Sequence, residues 1–296
     1  MIQHESVMLK EVQEFLDVHS QQDYIDCTLG GGGYTRAILE QNGPQGRVLA
    51  IDADIQTTVR TKKALAEFGK RLVVQCGNFK NVHSIAQTTG FEKVSGIVYD
   101  LGLSTDILTS SGRGFSFLAD EPLDMRFSAD SGYTAAELIA SLKEQELANI
   151  LWQFGEERFS RRIAKALCQA RKKERITTTA LLTRVIESAV PAGYRHGKIH
   201  CATRTYQALR MAVNDELPTI ESSLAQSYEL LQPGGRIVVV SFHSLEDRVV
   251  KNTFKQFRQN NNAHIITKKP IQPTYTEKRT NPKCRSAKLR CIQRGL

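Results

Sequence analysis

Asp26, Asp52, Phe79 and Asp100 each lie at or just beyond the end of a short apolar run, and four glycines, Gly30 to Gly33, follow the first of those runs. A glycine loop between strand and helix lets the backbone turn tightly and approach a ligand closely, because no Cβ intrudes. An acid about twenty residues further on, at the end of the second strand, sits where ribose hydroxyls would lie in a nucleotide-binding unit. Asp52 holds that position. A phosphate-binding loop ends in Gly-Lys-Ser/Thr; here the loop runs Gly33-Tyr34-Thr35, so that chemistry fails. The dinucleotide fingerprint fits Gly30 and Gly32 but places Thr35 at its third glycine, which weakens a nicotinamide reading without removing it. An adenosine ligand without phosphates needs only the ribose acid and the close backbone, and S-adenosylmethionine is such a ligand. Asp26, inside the first strand end, is then placed to face its ammonium group. A glycine-rich turn with no ligand remains the plain alternative.

These side chains need a sheet to hold them. Apolar runs predict strands over 24–29, 47–51, 71–75 and 94–99, alternating with helices over 35–40, 57–68 and 82–88, after a short amphipathic helix over 7–18. That alternation predicts a doubly wound, Rossmann-like parallel sheet, with ligands beyond the carboxyl ends of its strands. The rhythm then stops. A long connection over 103–127 leads into a stretch that is helical throughout. Thr134 with Glu137, and Ser141 with Glu144, read as capping boxes, Gly155 as a helix end and Thr178 as a further cap. The expected organisation is an α/β core over 1–103, an inserted all-helical domain over 104–200, and the rest of the core over 201–296. In that last part helices are expected over 202–213, 216–231 and 245–257. A turn is expected at Pro233 to Gly235, the strongest strand over 236–242, and two more strands over 264–267 and 288–293.

The chain has 296 residues and a net charge of +9, from 40 Lys+Arg against 31 Asp+Glu. A basic balance favours a polyanionic partner. The six cysteines are scattered with no CxxC pair, so no metal site is expected and a reduced, cytoplasmic setting fits. No signal peptide and no membrane span are expected. Monomer and homodimer both stay open.

The strings DCTLGGGGYTRAIL, GRGFSFLADEPLDMRF, FGEERFSRRIAKAL, HCATRTYQALRMAVNDEL, LLQPGGRIVVVSFHSLEDRVVK and NPKCRSAKLR occur in this order. Together they closely resemble the MraW family of small-subunit ribosomal RNA methyltransferases. The resemblance implies a class I S-adenosylmethionine-dependent methyltransferase fold with an inserted helical domain. It implies methylation of the exocyclic N4 of a cytidine in the decoding centre of 16S rRNA, with the small ribosomal subunit as partner. By position it carries cofactor contacts to Gly32, Gly33, Tyr34, Asp52, Phe79, Asp100 and Ile107. Tyr34 stands where the family usually has His, Ile107 where Gln is common, and Cys201 where Pro is usual. The alternative is a non-catalytic or substrate-shifted RNA-binding paralogue.

A sulfonium methyl is already activated, so the protein must chiefly align the reactants and exclude water. Cytosine N4 is a poor nucleophile, and an acceptor for its N–H would free the lone pair. Asp100, or a backbone carbonyl in Asp100 to Gly102, is the expected catalytic acceptor, and a purely cofactor-binding role for Asp100 is the plain alternative. Phe115 and Phe117 are candidates for stacking on the target base or its neighbours, Arg113 for a phosphate and His243 for the pocket rim. The same rings could instead pin their loop to a core, and His243 could order its own loop by hydrogen bonding. Two basic clusters, Arg158 to Arg175 and Lys278 to Arg290, are expected to meet RNA.

Overall fold

The computed structural model describes residues 6–102, 112–128, 132–197 and 199–296. The chain forms two compact units, one of Met1–Gly102 with Leu217–Leu296, the other of Leu103–Glu216.

The first unit is a seven-stranded sheet of order β3-β2-β1-β4-β5-β7-β6. Its strands are β1 (Tyr24–Asp26), β2 (Val48–Asp52), β3 (Leu72–Cys76), β4 (Val94–Asp100), β5 (Leu231–Ser241), β6 (Ala263–Ile265) and β7 (Lys288–Arg294). The first five are parallel, and β7 pairs antiparallel with both β5 and β6. The chain lays β2 and β3 on one side of β1 and β4 on the other, so the strand order reverses at β1/β4. Ligands bind in such a crevice because the flanking connections diverge there.

Period-two alternation sends successive strand residues to opposite faces. Ile25, Leu49, Ile97, Tyr99, Ile237 and Val239 share one buried cluster with residues of α4 (Val82–Thr88), α11 (Glu216–Leu230) and α12 (Ser244–Asn260). Tyr24, Val48, Ala50, Val98, Val238 and Val240 share the other with α1 (Leu9–Leu16) and α2 (Gly33–Gln41). Both faces are covered, which is why these strands read as continuous apolar runs. The helix after β2, α3 (Ile55–Ala64), starts where Asp54 accepts the N–H groups of Gln56 and Thr57. The turn expected at Pro233 to Gly235 is a bulge inside β5: the pairing with β4 passes from Val94↔Leu231 to Gly96↔Arg236.

The second unit is helical: α5 (Ala135–Ser141), α6 (Glu144–Gly155), α7 (Ser160–Ala170), α8 (Thr179–Ala189), α9 (Ala192–Arg195) and α10 (Thr203–Val213). Thr134 and Glu137 form the expected capping box. The second expected box is absent, because Ser141 ends α5 and its hydroxyl donates back to the Glu137 carbonyl at 2.8 Å. Glu146 instead accepts the Lys143 N–H at 2.7 Å and opens α6.

The boundary expected after His200 falls after Glu216. Tyr206, Ala208 and Leu209 of α10 are buried in the helical core. A Cβ on Gly155 would overlap the Arg204 carbonyl oxygen, so the absent side chain lets α6 and α10 touch backbone to backbone. Among the described residues no helix is long and apolar enough to cross a membrane. The short helix α13 (Tyr275–Thr280) interrupts the basic connection before β7.

Candidate functional site

The carboxyl ends of β1, β2 and β4 carry Asp26, Asp52 and Asp100. Three acids at adjacent strand ends repel one another, so the fold must neutralise or bury them.

Asp26 is fully buried. Its Oδ1 accepts the Thr28 N–H at 3.0 Å and its Oδ2 accepts the Thr35 hydroxyl at 2.7 Å. Burial pushes its carboxyl up to about 6, against the lowering effect of those two bonds. The expected ammonium contact is therefore corrected: Asp26 ties the strand to the first turn of α2 and presents no surface to a ligand.

Asp52 is only partly buried. Its Oδ2 accepts the Gly30 N–H and its Oδ1 the Asp54 N–H, both at 2.9 Å. Burial still raises its pKa. Each carboxylate oxygen has a second lone pair, which leaves Asp52 able to accept from a vicinal diol. The glycine loop is held from behind: Thr61 donates to the Gly30 carbonyl at 2.7 Å. At Gly32, φ is +79° and a Cβ would lie 2.6 Å from Thr61 Cγ2. A Cβ on Gly33 would overlap the Ser6 hydroxyl. The loop is thus a bare backbone ledge, with glycine favoured most at Gly32 by its positive φ and its close approach to Thr61.

Tyr34 is 4% exposed and its hydroxyl donates to the Val7 carbonyl. Burial raises that hydroxyl's pKa well above the usual value, with Asp100 and Asp26 adding to it. The Tyr34 side chain is a buried strut between α2 and the segment before α1, so the proposed cofactor contact at this position falls to its backbone. Phe79, half-buried in the turn after β3, sets its ring edge-on to Tyr99 at 5.7 Å and 85°. Ile107 lies outside the described residues.

Asp100 has a different environment. Its N–H donates to the Thr28 hydroxyl at 2.7 Å, so Thr28 clamps β1 and β4 together at their ends. Its Oδ1 is sealed from solvent and has no hydrogen-bond partner among the described residues. Burial, then Asp26, then Glu246 raise its carboxyl to about 7. Gly102 follows, and a Cβ there would meet the Phe242 ring at 2.9 Å. Phe242 thus packs over the exit from β4.

His243 caps α12. Its Nδ1 accepts the Glu246 N–H at 3.3 Å. Glu246, 1% exposed, returns the contact by accepting the N–H groups of Phe242 at 2.8 Å and His243 at 3.2 Å. The structure supports loop ordering, with His243 Nδ1 committed to the cap.

In the helical unit, Arg113 donates to the carbonyls of Arg126 and Phe127 at 3.1 and 2.9 Å. Phe115 is 7% exposed and stacks on Phe127 at 5.8 Å. Both side chains brace the GRGFSF turn, which lacks regular secondary structure, and their proposed contacts with substrate would be made from that braced turn. Phe117, half-buried, stacks on His200 at 4.4 Å. The basic clusters also divide. Arg171 donates to the Leu142 carbonyl at 2.6 Å, and Arg290 is buried against Asp247 at 2.6 Å. Burial alone would raise the Asp247 carboxyl, but Arg290 and Lys288 hold it below the usual range. Arg158, Arg161, Arg162 and Lys165 are exposed.

Thr28, Thr35, Thr61 and Glu246 carry no mark in the sequence. Thr28 and Thr61 have partners 72 and 31 residues away, which no local pattern marks; Thr35 and Glu246 have nearby partners, but their residue types are too common to single out.

The site therefore offers a glycine ledge, a diol acceptor at Asp52, a ring at Phe79 and an orphaned buried oxygen at Asp100. That donor set fits S-adenosylmethionine, a cation with a ribose and no phosphate. Residues 1–295 match the MraW methylase family. The "Ribosomal RNA small subunit methyltransferase H" of Thermomicrobium roseum is 42% identical over 98% of this chain and 93% of its own length. The protein of that name from Dehalococcoides mccartyi is 43% identical over 98% of this chain and 86% of its own. That from Sulfurihydrogenibium sp. is 42% identical over 99% and 100%. With a family match over residues 1–295 and relatives above 40% identical over nearly the whole chain, the chain belongs to the MraW methylase family.

Proposed function

We propose that this protein transfers a methyl group from S-adenosylmethionine to the exocyclic N4 of a cytidine in the 16S rRNA of the small ribosomal subunit, in the cytoplasm. The observation that carries the reading is the orphaned Oδ1 of Asp100 at the switch point of the sheet, two strand ends from the Asp52 that braces the glycine ledge. An unpartnered buried acceptor costs about 1–3 kcal/mol, and a bound donor relieves that cost.

Asp52 would accept from the ribose hydroxyls, Gly32 and Gly33 would let the ligand approach the backbone, and the Phe79 ring would offer an apolar surface to the base. The ligand supplies an activated methyl on a sulfonium. Asp100 would accept a hydrogen bond from the cytosine amine, which frees the nitrogen lone pair from conjugation with the ring and aims it, and would take up the proton the nitrogen loses as the N–C bond forms and the sulfonium S–C bond breaks. The carboxylate form also offsets the positive charge of the cofactor. Relatives named as small-subunit ribosomal RNA methyltransferases support the substrate class.

The test is to incubate the protein with methyl-labelled S-adenosylmethionine and small subunits lacking the modification, then digest the RNA and separate nucleosides. Label is expected in N4-methylcytidine. Label in another nucleoside would move the substrate. An absence of label with subunit binding intact would favour the non-catalytic paralogue.

A further inference from the structure

Trp152 is the only tryptophan in the chain, and it is 60% exposed on α6. A side chain of that size is normally well buried, and an exposed one marks an interaction surface. It borders a groove of about 350 Å³ that is also lined by Arg158, Phe159, Arg161 and Arg162. The arginine segment is built rather than loose. Glu157, fully buried, accepts the Phe159 N–H at 2.8 Å and the Tyr194 hydroxyl at 2.7 Å. The Arg158 guanidinium lies 4.9 Å from the Phe159 ring and 4.6 Å from the Tyr194 ring.

Among the described residues no carboxylate pairs with Arg158, Arg161 or Arg162. Arg161 and Arg162 also occupy the first turn of α7, which has no acidic residue and no side-chain cap. Cations there oppose the helix dipole, so local helix stability does not account for them. Three uncompensated arginines beside one open aromatic ring match the alternation of phosphate and base in a single strand. An acidic protein segment would answer the charges but leave the ring without a purpose.

We propose that this groove is a second RNA-binding site, distinct from the methyl-transfer site: Trp152 stacks on an unpaired base, and Arg158, Arg161 and Arg162 hold the flanking phosphates. The proposal rests on the reading that the substrate is ribosomal RNA. It gives the helical unit a grip on a single-stranded segment other than the target cytidine.

The lone tryptophan is its own reporter. A short single-stranded RNA oligonucleotide is titrated into the full-length protein while tryptophan fluorescence and oligonucleotide anisotropy are followed together. The expected result is saturable quenching with the same midpoint as binding. Trp152→Ala should weaken binding roughly tenfold and Trp152→Phe far less, as expected for loss of one base stack. Arg161→Ala with Arg162→Ala should flatten the salt dependence by about 0.7 in log–log slope for each phosphate no longer neutralised. Binding without quenching, or unchanged affinity in Trp152→Ala, would overturn the site. Weaker binding of Trp152→Ala to assembled subunits but not to RNA would also overturn it, in favour of a ribosomal protein. Methyl transfer by the unaltered protein is measured on the same preparation. Label transferred without quenching sinks this site and spares the reaction; quenching without label does the reverse.

Discussion

Asp100 combines a carboxyl raised to about 7 with a sealed, unpartnered oxygen. The folded protein holds this proton over a range in which the unfolded chain has already released it. That stabilisation is full below the unfolded value, near 4, and is lost as pH rises through about 7. Affinity for a cationic ligand runs the other way, because the charged carboxylate is present only above that range. The ligand-free protein should therefore melt lower at about pH 8 than at about pH 6, while S-adenosylmethionine should bind tighter at the higher pH. Asp100→Asn should flatten both trends. Calorimetric titration and thermal melts at the two pH values check this, and an unchanged trend in the variant would mean another group titrates. The acids at the strand ends were legible in sequence because each ends an apolar run. Their individual duties were not. Thr28 binds the Asp100 N–H across 72 residues, and Asp26 looks identical in sequence whether it faces a ligand or closes on Thr35.

At the scale of elements, the α/β alternation could be read because both faces of the sheet are covered and the strands are uniformly apolar. The edge between the units could not. The amphipathic stripe of α10 has the same period whether it packs on a sheet or on α6, and only the close approach at Gly155 assigns it. The loop at His243 was open to chemistry or architecture, and its geometry allows a clean test. Asn is a good helix cap and cannot act as an acid or base near neutral pH, whereas Ala does neither. His243→Ala should cost about 1 kcal/mol of stability, read as a lower melting temperature. His243→Asn should keep both the melting temperature and the methyl-transfer rate. Loss of transfer in a fully stable His243→Asn protein would return His243 to the chemistry.

Across the whole molecule, two units with separate hydrophobic cores divide the tasks. The proposed cofactor residues Gly32, Gly33, Asp52, Phe79 and Asp100 lie in the α/β unit and the proposed second RNA site lies in the helical one. Perturbations at sites without shared partners act nearly additively. Asp52→Ala should accordingly abolish measurable S-adenosylmethionine binding while leaving oligonucleotide affinity within about twofold. A comparable loss of both would show that the two sites are energetically coupled. The charge of +9 then reads as a footprint shared unevenly. Arg290 and Arg171 commit theirs to internal partners, and the exposed first turn of α7 keeps its own.

The placement of β7 inside the sheet, between β5 and β6, has a consequence for how the protein comes into being. The helical unit is one continuous stretch of chain and can fold while its carboxyl end is still being synthesised. The α/β unit is interrupted by it and stays open along β5 until residues 288–294 have left the ribosome. Synthesis therefore separates in time the part proposed to grip RNA from the part that completes the catalytic sheet. A nascent chain stalled before Lys288 would expose an unpaired strand edge to aggregation.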